Sequence, residues 1–251
     1  MPVLDERLLS TPPVALELSH NTTVDMATAA VTALKKSLTA FNDYSTDLAD
    51  EIRQIEDKTD YYEYILGTYL VKLSTRPISS EESVEIAKLL KVIGDFERIS
   101  DHSVNLLCSV EELREKDISF TPAAKAELNT IFSAVSEILD LSLTCFTKSD
   151  LTAATSVEPL EQVIDKLRES LRSRHIIRLQ QGECTIEAGF IWSDLLTNLA
   201  RTSDHCSNIA GSIIDVANNN MNMHEALRNA RDDDPEFKEK YRAYKEKYKL
   251  A

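Results

Sequence analysis

The chain carries one motif twice. Arg98, Ser100, Asp101 and His102, with Asn105 following, recur in the same order as Arg201, Ser203, Asp204, His205 and Asn208, displaced by 103 residues. Apolar neighbours repeat in phase, Ile93 and Phe96 answering to Leu196 and Leu199, and further upstream Glu56 and Asp60 answer to Glu161 and Asp165 at a displacement of 105. A sequence written twice folds as two like units, and the small change of displacement fits a difference in loop length between them.

The units are helical. Apolar residues recur at three- and four-residue spacing through nearly every long segment, no alternating run appears, and Gly and Pro number only 5 and 7 in 251 residues. Six helices are expected: from Thr11-Pro12-Pro13 to about Tyr44, Thr46 to Leu73, Ser79 or Ser80 to Leu113, Thr121-Pro122 to Phe146, Thr155 to Gln180 and Glu183 to Val216. Helices of about 25–30 residues run about 40–45 Å and must lie side by side to share a core. The expected fold is all-α: two repeated three-helix bundles over 20–116 and 117–217, a lead-in over 1–19, and a linker and short amphipathic helix over 218–251. That last helix starts at Asp234-Pro235 and aligns Phe237, Tyr241, Tyr244 and Tyr248 in one aromatic stripe, expected to pack on its own bundle.

Charge and motifs exclude much. A formal charge of −14 disfavours nucleic acid and anionic lipid as partners. Cys108, Cys145, Cys184 and Cys206 form no CxxC pair, and a reduced cytoplasm is the expected setting. No run of about 18 apolar residues and no signal-peptide pattern stand out, so the chain reads as soluble. Neither a phosphate-binding glycine loop nor a nucleophile elbow is present, and the lone Glu17-x-x-His20 falls short of the two such pairs that a ferritin-type di-iron site needs. Trp192 and Cys206 read as core residues.

The carboxylates carry the chemistry. Residues four apart on a helix differ by about 40° in direction, so Glu97 and Asp101 share one face, as do Glu56 and Asp60. If helices two and three are neighbours, the pairs converge into an oxygen-rich site suited to magnesium, manganese, calcium or ferric iron. The second unit would offer Glu161, Asp165 and Asp204, with Asp194 and Asn198 nearby, but Ala200 stands where Glu97 stands in the first, predicting a weaker or differently built site. Solvated acidic flanks paired with Arg98 or Arg201 are the plainer alternative. His102 and His205 point about 100° from the aspartates beside them and are expected to hydrogen-bond between helices.

DFERISDHSVNL and LTNLARTSDHCSNIA resemble the signature repeated in PhoU-like proteins, a helix bearing Glu-Arg-Ile-Gly-Asp followed by a small residue and an Asn. The likeness spans roughly residues 20 to 216 and implies two three-helix bundles, a non-catalytic role in regulating phosphate uptake, and a metal such as iron or zinc at Glu97, Asp101 and Asp204. Ala200 departs from the pattern, as do Ser100 and Ser203 at the usual glycine. LDERLLSTPPVALELS resembles the segment that follows the membrane domain in bacterial sodium/phosphate cotransporters. This implies a cytoplasmic domain at the inner face of the membrane, attached to its transporter or working as a free-standing regulator beside a separate one, with a homodimer expected. A metal-free helical scaffold for dimerisation is the other alternative.

Overall fold

The computed structural model describes residues 4–217 and 234–250. Segment 218–233, most of the expected linker, lies outside the described residues. Six long helices follow in order, α1 (Pro12–Ala40), α2 (Thr46–Ser74), α3 (Ser80–Glu115), α4 (Pro122–Lys148), α5 (Leu151–Gln180) and α6 (Ile186–Ala217), and α7 (Pro235–Lys247) comes last.

Side chains next to each helix set most of the starts. Ser45, Thr121 and Asp234 each accept an N–H from the first turn of α2, α4 and α7. Ser79 and Glu82 cap each other's backbone in a reciprocal box at α3. α5 begins four residues before the expected Thr155, because Asp150 accepts from the N–H groups of Thr152 and Ala153 and the helix carries Pro159 in its interior. α6 begins three residues later than expected: Gly182, at φ +71°, ends α5 in a left-handed cap, and Thr185 accepts the N–H of Ala188. α1 stops at Ala40 rather than Tyr44, whose ring lies under the Arg114 guanidinium at 4.5 Å.

α1, α2 and α3 pack on one another, as do α4, α5 and α6, and the two bundles join through α3 against α6 and α1 against α4. One buried apolar cluster runs through both. Phe96 of α3 meets Phe146 of α4 edge-on at 5.5 Å, and Phe41, just past the end of α1, meets Phe132 of α4 at 5.0 Å, so the repeats share a core. Among the described residues α4 is long and apolar enough to cross a membrane, with a stretch of mean hydropathy 1.3, contrary to the sequence expectation; here it packs against α1, α5 and α6 with half of that stretch buried.

The lead-in forms a 3-10 turn, Glu6–Ser10, tied to α2 by the Tyr69 hydroxyl donating to the Asp5 carbonyl at 3.0 Å and by Lys72 to Glu6 at 2.5 Å. α7 packs along α5, Tyr248 is buried and Tyr241 and Tyr244 are partly so, in line with an aromatic stripe that faces its own bundle.

Candidate functional site

α2 and α3 come close because their contact is lined by small polar residues. The hydroxyls of Thr59 and Ser100, both fully buried, bond at 2.6 Å, and Ser37 of α1 donates to the Ser103 carbonyl at 2.7 Å on α3. Ser100, the departure from the usual glycine, is thus part of the helix contact. The carboxylates flank them, Glu56 and Glu97 about a turn before Thr59 and Ser100, and Asp60 and Asp101 directly after.

Glu56, Asp60 and Asp101 each bring an oxygen within 4.8 Å of the others'. Glu97 adjoins this trio, half-buried, with Asp101 and Glu63 as acidic neighbours. Arg98, on the rim, reaches Asp101 at 3.2 Å and Glu97 at 3.4 Å. One cation against so many carboxylates leaves an excess of negative charge. Burial, followed by repulsion from Asp101, pushes the Glu97 carboxyl up to about 7; burial and then neighbouring carboxylates raise Glu56 and Asp60 as well. Such groups hold protons at moderate pH or give them up to a cation, and the donor set, all oxygen, fits a hard metal ion. Glu63 was not foreseen, although Glu56, Asp60 and Glu63 fall at i, i+4 and i+7 and extend one acidic stripe.

The second repeat builds no comparable trio among the described residues. Asp165 pairs with Arg168 at 3.0 Å, Asp194 and Asp204 are exposed, and Asn198 turns towards α3. At the displacement of 105, buried Ile164 takes the place of Thr59, and at 103 buried Ala200 takes that of Glu97. The corresponding locus therefore keeps three of the carboxylates but lacks the fourth and the hydroxyl contact. Glu161 stands on α5, one turn before Asp165.

The histidines do join helices. His102 Nδ1 lies 2.9 Å from Asn198 Oδ1, and His205 Nδ1 lies 2.9 Å from Asp95 Oδ1, which also accepts from Asn208 at 3.2 Å. Asp95 and Asn198 are themselves 103 residues apart, so one contact is made twice about a local pseudo-two-fold axis between antiparallel α3 and α6. The two rings lie 5.7 Å apart near that axis. Burial, above all, lowers the His102 pKa.

Comparison with known proteins agrees with this duplication. The PhoU domain model matches residues 23–110 and again 128–213. The chain is 26% identical over 185 residues to the phosphate-specific transport system accessory protein PhoU homolog 1 of Thermotoga maritima, covering 73% of this chain and 74% of that one. It is 25% identical over 182 residues to the corresponding homolog of Pseudomonas aeruginosa, covering 71% and 73%. Among solved structures, the phosphate transport system regulatory protein PhoU from Streptococcus pneumoniae superposes with a TM-score of 0.73 at 17% identity, covering 84% of this chain and 98% of that one. PhoU from Pseudomonas aeruginosa superposes at 0.66 with 22% identity, covering 84% and 97%. With two matched copies spanning most of its length, each a three-helix bundle, this chain belongs to the PhoU domain family.

Proposed function

We propose that this protein is a non-catalytic regulator of phosphate uptake that acts on a membrane transporter from the cytoplasm, and that its first repeat holds a metal ion. The observation that carries the regulatory reading is the paired PhoU repeat, shared with relatives named as accessory proteins of phosphate-specific transport systems. Those names favour an accessory protein beside a separate transporter over a domain fused to a sodium/phosphate cotransporter. The test is phosphate uptake in cells lacking the gene, with and without the restored chain. Uptake that stops responding to external phosphate on deletion, and responds again on complementation, supports the reading; identical uptake in all three strains sinks it.

The metal reading rests on the convergence of Glu56, Asp60, Glu97 and Asp101. These residues would hold a divalent or trivalent cation such as iron, zinc, manganese or magnesium, which would offset their mutual repulsion and tie α2 to α3. Glu161, Asp165 and Asp204 form no such trio among the described residues, so the metal is proposed for the first repeat. Mass-spectrometric metal analysis of protein purified without an affinity metal column should find the ion in the parent and lose it in Glu97→Ala/Asp101→Ala. The homodimer takes support from the exposed Tyr64 and Val71 on α2 and is checked by sedimentation.

A further inference from the structure

α5 and α7 face each other with two basic stripes. On α5, Lys166, Ser170 and Arg174 stand at i, i+4 and i+8; on and just beyond α7, Tyr241, Lys245 and Lys249 stand at the same spacing. Such spacing puts each trio on one side of its helix. Together they line a cleft of about 260 Å³ whose remaining walls are Val163, Leu167, Tyr248 and Leu250, with no carboxylate side chain on it among the described residues.

Four cations around one small cleft are out of character for a chain of net charge −14. The negative end of the α7 dipole accounts for lysines in its last turn but not for the stripe on α5 opposite them. Internal pairs absorb only part of the charge. Arg174 reaches Glu127 at 3.2 Å and Lys166 reaches Glu169 at 3.3 Å, both outside the lining, whereas among the described residues Lys245 and Lys249 meet no carboxylate. Holding like charges together costs free energy that a bound anion offsets.

We propose that the cleft between α5 and α7 binds a small phosphate-bearing anion. A phosphate group brings about two negative charges at neutral pH and several strong acceptor oxygens, matching ammonium groups that approach from two helices. A singly charged carboxylate would balance only one of Lys245 and Lys249. The cleft has room for a phosphate, a pyrophosphate or a small phosphate ester, and apolar Val163 and Leu167 on one wall suit an organic portion. A ligand bridging α5 and α7 would also fasten the last helix to the second repeat. The inference stands on the cleft's charge and not on the regulatory reading; binding is measured with no transporter present, so either can fail alone.

Calorimetric titration of the full chain at low salt tests it, with inorganic phosphate, pyrophosphate and adenosine monophosphate as probes and chloride as the control anion. Saturable binding of one of them is expected, with affinity falling about tenfold or more in Lys245→Ala/Lys249→Ala, as the loss of charge-assisted hydrogen bonds requires, and unchanged in Lys35→Ala. Inorganic phosphate binding best identifies the free anion as ligand, and the monophosphate binding best identifies an ester. Amide shift perturbations of the unmutated protein, which need no variant to fold, should gather on residues 163–174 and 241–250. No saturable binding by any probe, full affinity in the double variant, or perturbations centred elsewhere would overturn the proposal.

Discussion

Glu97→Gln should stabilise the metal-free protein, and only above mildly acidic pH. Glu97 is half-buried beside Asp101, and its carboxyl is raised from 4.5 to about 7. A group bound more tightly to its proton in the folded state leaves stability intact below the unfolded pKa and removes it as pH climbs to the folded one. Stability therefore declines from about pH 4.5 to about pH 7 and then levels off. At about 1.4 kcal/mol per tenfold change in proton affinity the full effect is about 3.5 kcal/mol; solvent at the rim and Arg98 at 3.4 Å reduce this to about 1.5–2.5 kcal/mol. Glutamine keeps the shape, carries no charge, and donates to the neighbouring carboxylate. In chelator-treated protein, thermal melts at pH 8 should rise by about 3–10 °C in the variant, at the 2–4 °C per kcal/mol expected for this length. At pH 4.5 the two should melt together. Added manganese should stabilise the parent more than the variant, which lacks one ligand. A variant no more stable at pH 8, or equally stabilised at both pH values, would refute the account of a repelled carboxylate.

Asn198→Asp should make the two α3–α6 contacts alike and raise the His102 pKa from its lowered value, because a carboxylate 2.9 Å from Nδ1 favours the imidazolium; NMR titration of the ring reads the shift, and no upward movement would contradict the pairing. Ala200→Glu places a carboxylate at a buried site beside the core and should cost about 2 kcal/mol or more in denaturant melts at pH 7, in contrast to the tolerated Glu97. Phe146→Ala removes a fully buried ring that touches both Phe96 and His20 and should cost about 3–5 kcal/mol, measured by denaturant unfolding.

Helix number, order and most ends were legible because the determinants are local: capping side chains, prolines in first turns and the three-to-four apolar spacing. Where ends were misplaced, the determinant was hidden or outvoted. Asp150 starts α5 ahead of Thr155, and Pro159 is carried inside the helix by burial against its neighbours. The carboxylate pairs were readable from spacing on single helices, but their convergence depends on how closely α2 approaches α3, and the Thr59 to Ser100 contact that sets this joins residues 41 apart. The roles of Asp95 and Asn198 were present in the displacement of 103, yet only the crossing of α3 with α6 reveals that each serves the other repeat's histidine.

The mirrored histidine contacts also fix where the two halves can pivot. Both lie within a turn or so of the point where the pseudo-two-fold axis crosses α3, near Ile99, so a small scissoring of one bundle on the other moves them little, whereas sliding α3 along α6 breaks both together. The N-terminal end of α3 at Ser80 lies about 28 Å from that fulcrum at 1.5 Å per residue, and a rotation of about 5° carries it about 2.5 Å. Asp101 stands beside the fulcrum. A change of charge there would thus act at the short end of a lever whose long end is the α2–α3 turn.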